Sequence, residues 1–374
     1  MLPSLTILAS WLKRYIKRFF IKKEGLKIIT GGAMIKQIKG IFPGFFAAVI
    51  LGLCGYLVRE LTQLVIIEPL VVSLIAGIIF RSIVGDKQVW FSIGQKAALA
   101  VFLPFGIVFY GLKNLNFVKI AQVSPGIIIL LFLIVIVYLL VIFFLGRAWK
   151  QKKEITYLTT AGSAICGASA IAITSNAVKA EPEDVSISLI SVTLCAFIGL
   201  YIFLPFLAVL VNMGNKTFAL FSASVLQFTG FVKVANMDTV ALEQQISVTE
   251  AVKLGLLFKS VRYLGLFFLL PFFASIEKKK IVLPYPLWLF LFAGIAGSFI
   301  YSKAPLYYSG DFSNLVTPLY NLSWCGAMAA IGMRVSIFEF FSNNALKAFG
   351  AAMAGFVAAI ATFFIGYYCF IKAF

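Results

Sequence analysis

The 374-residue sequence contains no histidine. This removes the commonest metal ligand and the usual proton shuttle near neutral pH, so a histidine-based zinc site and a histidine general base are both excluded. Acidic residues are scarce, 14 against 32 lysines and arginines. Glu68 stands at the start of an apolar segment, and Glu181, Glu183 and Asp184 share a polar loop. Paired carboxylates at membrane depth, the mark of a sodium–proton antiporter, are missing, which favours anion over cation translocation. The five cysteines (Cys54, Cys166, Cys195, Cys325 and Cys369) are odd in number and all lie in apolar stretches. They read as small buried hydrophobes rather than a disulfide framework. The alternating ten-residue strands of a membrane β-barrel are also absent. The basic run follows a short apolar start instead of preceding it, which argues against a secretory signal.

What is present is apolar: 61% of residues are hydrophobic and only 12% are charged. That composition predicts an integral membrane protein. A spanning helix needs roughly 20 apolar residues. By that measure the segments near 41–59, 68–84, 93–112, 124–146, 155–177, 185–211, 217–234, 250–275, 284–302, 315–333 and 345–371 qualify, eleven in all. The predicted fold class is an all-α polytopic membrane protein, with 1–40 a basic cytoplasmic segment and 41–374 a transmembrane transporter domain.

The net charge of +18 would suggest nucleic acid in a soluble protein, but its distribution argues for topology instead. Lys13, Arg14, Lys17, Arg18, Lys22, Lys23, Lys27, Lys36 and Lys39 face a single Glu24 near the start, which predicts a cytoplasmic N-terminus. "WLKRYIKRFFIKK" suits either an amphipathic helix on anionic lipid or a purely topogenic tail. Arg81, Lys87, Arg147, Lys150, Lys152, Lys153 and Lys278–Lys280 belong on the cytoplasmic side, and the loop with Asp238 and Glu243 outside. The crossings total an odd number, placing the C-terminus outside. Between 153 and 238, three full crossings satisfy this, and so does one crossing flanked by two re-entrant hairpins.

The stretch "AGSAICGASAIAIT" (161–174) is built from the smallest residues in the chain. Such a stretch can be a tight helix-packing face. It also suits a helix interrupted near the bilayer midplane, whose free amides face an anion and whose free carbonyls can hold a cation. The polar flank favours the interrupted helix, with Gly162, Ser163, Gly167, Ser169, Thr174 and Ser175 supplying backbone access and hydroxyls. Two internal matches point to inverted repeats. "ICGASAIAI" (165–173) pairs with "WCGAMAAIG" (324–332), and "YGLKNLNFVKI" (110–120) with "IGMRVSIFEFF" (331–341). The two pairings cannot both define one simple repeat.

"GSAICGASAIA", then "SASVLQFTGFVKVAN", "EAVKLGLLFKSVRYLGLFFLLP" and the terminal "AMAAIGMRVSIFEF" resemble the bacterial sulfate exporter family over most of 41–374. That family is grouped with the cation–proton antiporter and bile acid–sodium symporter superfamily. The resemblance implies inverted five-helix repeats, discontinuous helices and a core that moves against a panel domain. One departure is clear: where the family carries His-Asp, this chain has Leu226-Gln227, which puts ion or proton coupling in doubt.

Charges inside apolar segments are functional candidates. Lys259 and Arg262 share a helix face, and "KSVR" matches the family's Lys-x-x-Arg. Their cations could bind sulfate or sulfonate, with Lys179 and Lys233 adding to the field or lining vestibules. Lys253 reads as snorkelling. The expected site joins Gly162, Ser163, Gly167 and Ser169 to Lys259 and Arg262, with Ser224, Gln227 and Thr229 from the second small-residue segment. On this view Arg262→Lys weakens anion binding and leaves the fold intact. A competing assignment makes Arg262 a counter-ion to Glu250 or to backbone carbonyls.

The expected function is alternating-access transport of a small anion, sulfate or an organosulfonate, across the bacterial inner membrane, without enzymatic activity, cofactor or bound metal. Expected partners are the anion, sodium or a proton as coupling ion, membrane lipids and a second copy in a homodimer, with no nucleic acid. Sodium-coupled uptake of an organic anion and a non-transporting sensor or assembly protein are the alternatives.

Overall fold

A computed structural model describes residues 31–62, 69–85, 89–237, 242–278, 284–335 and 342–372. Most of the basic segment, Glu68, Lys87, Asp238, Lys279, Lys280 and the C-terminal Phe374 lie outside the described residues. Seven described helices are long and apolar enough to cross a membrane, and the described residues contain no strand. This bears out a polytopic all-α protein.

The long helices start and stop where local chemistry dictates. Helix α1 (Gly31–Thr62), α2 (Pro69–Val84) and α3 (Val89–Asn114) lead to α4 (Pro125–Ala148). Pro125, whose missing N–H costs nothing in a first turn, opens α4, and Arg147 sits at its carbonyl end. α7 (Pro182–Ile198) starts on a capping box in which Glu181 and Asp184 satisfy each other's free amides, and runs through a wide turn to Leu210. α10 (Val248–Arg262) has the same device in Ser247 and Glu250 and continues through a tight turn into α11 (Leu266–Lys278). α12 (Tyr285–Lys303), α13 (Ser313–Gly332) and α14 (Asn343–Tyr367) complete the chain.

Two of the eleven segments double back. Segment 155–177 is α5 (Lys153–Ala161), a wide turn Gly162–Cys166, a break at Gly167 and α6 (Ala168–Val178). Its ends return to one face. Lys152, before α5, pairs with Asp184, after α6, at 2.8 Å. Ser188 Oγ reaches Ile155 O at 3.3 Å, so the start of α7 lies beside the start of α5. Segment 217–234 is α8 (Asn215–Val225), an extended tip at Leu226, and α9 (Thr229–Met237). It also doubles back: Asn236 Nδ2 donates to Ser222 Oγ at 2.8 Å, and Asn215 bonds Glu243 O, Gln245 N and Ile246. Because α7 runs from Pro182 to Leu210 between them, the two hairpins enter from opposite faces. Residues 155–175 and 218–228 are buried, so their irregular backbone is shielded by protein.

The helices form two groups. α1, α2, α3, α12 and α13 pack together, closely enough that a Cβ at Gly52 would meet the Gly326 backbone at 2.7 Å. The hairpins, α4, α7, α10, α11 and α14 form the other group. At the end of α13, burial pulls the Arg334 guanidinium below its ordinary range while Glu181 pulls the other way. That electrostatic coupling puts the C-terminal end of α13 on the same side as the base of the first hairpin.

Single cysteines at Lys150 and Lys179, in a chain lacking Cys54 and Cys369, are expected to react with an impermeant maleimide from one face of sealed vesicles. Asn212→Cys and Gln245→Cys are expected to react only from the other. Labelling of Lys179→Cys together with Asn212→Cys would mean that the first segment crosses.

Candidate functional site

The hairpin tips meet. A Cβ at Gly167, where φ is +69°, would stand 2.6 Å from the Phe228 ring. Each tip divides one segment into two half-helices, and the four ends carry opposite partial charges.

The carbonyl ends of α5 and α8 are bound by two cations from one helix face. Arg262 Nε donates to Ala164 O at 2.8 Å and Nη2 to Ser163 O at 2.8 Å, both on the first hairpin. Its Nη1 donates to Ala223 O, Ser224 O and Leu226 O, at 3.0, 2.7 and 2.9 Å, on the second. Lys259 Nζ donates to Leu226 O, sharing that acceptor. Both are sealed from solvent, at 0% and 1% exposure. The guanidinium also stands over the Tyr138 ring at 5.6 Å, and Tyr138 OH donates to Val225 O at 2.7 Å. Arg262 ties the two hairpins together, and Lys259 adds a bond to the second tip.

The amide ends point elsewhere. In α6 the first amide bonded back along the helix is that of Ile171, to Gly167 O, and in α9 that of Val232, to Phe228 O. The amides before them start at the wall of a cavity of about 760 Å³, which Ala168, Ser169, Thr229 and Gly230 line. Lys113, Lys119, Lys233 and Lys253 also line it, and no carboxylate does among the described residues. The cavity lies between the two helix groups, with Tyr110, Tyr320 and Asn321 from one and Phe228, Ser260 and Tyr263 from the other. The cations on the α3 side are held in place: Lys113 Nζ donates to Thr317 Oγ1 at 2.8 Å and stands 5.6 Å from the Tyr320 ring centre. Lys119 Nζ is 4.6 Å from the Tyr301 ring and 5.6 Å from that of Tyr308. Burial lowers its ammonium pKa from the ordinary lysine value. Four lysines and the amide ends of two half-helices give the cavity a positive lining.

The structure redistributes the residues expected from sequence. Ser169 and Thr229 line the cavity, and Thr229 Oγ1 also bonds Tyr263 OH at 2.9 Å. Gly162, Ser163, Gly167, Ser224, Gln227, Lys259 and Arg262 do not line it. Ser163 and Ser224 contribute carbonyls to Arg262, and Ser224 Oγ bonds Leu220 O at 2.7 Å. Gln227 is buried against Cys195 Sγ at 3.3 Å. Gly167 makes the break, and Gly162 packs under Ile171. Arg262 is therefore a counter-ion to backbone carbonyls, while Glu250 is occupied by Ser247. Lys179 is exposed at the C-terminal end of α6, which it caps with φ of +56°. Lys233 and Lys253 both join the cavity.

Sequence reasoning missed Tyr110, Lys113 and Lys119 as site residues, although all three lie in "YGLKNLNFVKI". That stretch stood out only as a repeat match, and a cation cluster at a helix end is ordinarily read as topogenic.

The family profile described as conserved hypothetical protein 698 matches residues 43–352, which takes in both hairpins and the whole cavity. The chain belongs to that family. It is similar to a UPF0324 membrane protein of Archaeoglobus fulgidus, 23% identical over 299 residues, covering 79% of this chain and 84% of the relative. A UPF0324 membrane protein of Bacillus cereus is 24% identical over 319 residues, 85% of this chain and 92% of its own. One from Staphylococcus epidermidis is 26% identical over 338 residues, 87% and 93%. These relatives are named as membrane proteins with no substrate, so membership supports the membrane location and leaves sulfate as a reading of the residues. No solved structure matches the chain at a significant level.

Proposed function

We propose that this protein is a secondary transporter that moves a small anion by alternating access, with the cavity between the two helix groups as its substrate site. The observation that carries this reading is the lining: four lysines, two half-helix amide ends and no carboxylate among the described residues. Binding sites enclosed between helix groups and built on interrupted helices suit a site that is exposed to each side in turn. Sulfate and organosulfonates match the charge and the donors.

The units 153–210 and 215–278, each a hairpin followed by a long interrupted helix, are read here as inverted copies. It differs from the two matches drawn from sequence: α13, which contains "WCGAMAAIG", is one continuous helix, and residues 336–341 of the other match lie outside the described residues. The hairpin group would then move against α1–α3, α12 and α13. Sodium coupling is disfavoured, because Arg262 and Lys259 already take the tip carbonyls that would coordinate the ion.

Counterflow of labelled sulfate and of a labelled organosulfonate into proteoliposomes tests the reading. Saturable exchange of at least one, independent of sodium, is expected. Lys233→Glu is expected to weaken it, since loss of a charge-assisted contact costs about 1.5–3 kcal/mol, roughly ten- to a hundredfold in affinity. Absence of exchange for every anion would favour a sensor or assembly role, and an absolute sodium requirement would restore the sodium-coupled alternative.

A further inference from the structure

We infer that the substrate is an aromatic organic anion, a sulfonate or carboxylate on a flat apolar body, rather than a bare inorganic oxyanion. The inference rests on the anion reading above and names the class of anion. The first observation is size. About 760 Å³ is the range of cavities that enclose drug-sized organic ligands, and a tetrahedral oxyanion fills a small fraction of it.

The second is the chemistry of the walls. An oxyanion leaving water needs a donor at every oxygen. Donors lie at the hairpin tips, on Lys233 and Lys253 of the adjoining helices, and on the facing group as Lys113 and Lys119. Much of the remaining wall is ring and aliphatic surface, including Tyr110, Tyr320, Phe312, Leu256 and Val316. A bare oxyanion would leave that surface wet, whereas an apolar body covers it.

The third is an aromatic array at the helix-group interface. Tyr110 lies 5.7 Å from Tyr320 with ring planes 21° apart, and 5.4 Å from Tyr263 with planes 54° apart. These are spacings at which flat rings extend an offset stack. Tyr110 is 2% exposed and lines the cavity, with Phe290 stacked on it at 5.6 Å. The array joins α3 and α13 to the turn after α10, so a ring held there contacts both groups that must move. The head group would meet the hairpin tips while the ring lies against Tyr110 and Tyr320.

Binding to the full chain in zwitterionic nanodiscs, corrected for empty discs, decides this with four probes: sulfate, methanesulfonate, naphthalene-2-sulfonate and neutral naphthalene-2-methanol. The naphthalenesulfonate is expected to bind at least tenfold more tightly than sulfate or methanesulfonate. Tyr320→Ala is expected to erase that difference and Tyr320→Phe to preserve it. Sulfate or methanesulfonate binding as tightly as the naphthalenesulfonate would overturn the inference and leave the anion reading standing. Equal binding of the neutral alcohol, or no anion binding at all, would overturn both. If Tyr320→Ala does not fold, the wild-type series and Tyr320→Phe still separate these outcomes.

Discussion

Arg262→Ala is expected to abolish recovery of folded protein. The guanidinium donates to five carbonyl oxygens on two hairpins and is 1% exposed, so its removal strips donors from Ser163, Ala164, Ala223, Ser224 and Leu226 together. An unsatisfied buried polar group costs about 1–3 kcal/mol, and a native fold is stable by only about 5–15 kcal/mol. Lys259 bonds only Leu226 O and so does not replace the bonds to the first hairpin. Arg262→Lys keeps the charge, but an ammonium is a point and cannot span both tips as a planar fork does. It is expected to lose roughly half of the contacts and about 3 kcal/mol. Size-exclusion chromatography after a temperature series gives the readout. A monodisperse Arg262→Lys with an unchanged midpoint would return Arg262 to the role of anion ligand. Guanidinium added to Arg262→Gly is expected to recover part of the folded fraction, a result that a general loss of charge would not give.

Gly167→Ala is expected to have the second largest effect. At φ +69° and ψ −123° the backbone is in a region that L side chains avoid, and the new Cβ would meet the Phe228 ring at 2.6 Å. Strain of this kind costs about 1–3 kcal/mol, with a further ~1–3 kcal/mol for the overlap. Adding Phe228→Ala is expected to relieve the overlap and leave the strain, so the double variant should recover only part of the loss. Full recovery would mean that the dihedral itself carries no cost. Because Gly167 starts α6 at the cavity wall, the folded fraction of either variant should also bind anion more weakly.

Membrane residence and helical class were legible in composition and in runs of apolar residues, since a bilayer imposes the same length and polarity on every span. The stretch 161–174 announced an interrupted helix because small residues are the ones that tolerate exposed backbone and close neighbours. Its direction of travel was not legible. A helix that continues and one that turns back have the same composition, and only the Lys152–Asp184 pair and the Asn215 contacts, between residues 28 or more apart in sequence, distinguish them. The same limit governed the site. Lys259 and Arg262 were recognisable as buried cations, because a charge in an apolar run must find partners. Whether those partners were an anion or carbonyls depended on where two hairpin tips converge. Lys113, Lys119, Lys233 and Lys253 read locally as topogenic, snorkelling or vestibule charges. Packing α3 and α13 against α10 and the hairpin tips makes them one cavity wall. Sequence by itself determined which groups have to be satisfied, because desolvation is a property of each residue. Tertiary structure alone decided what satisfies them, because a partner is set by distance in space and not along the chain.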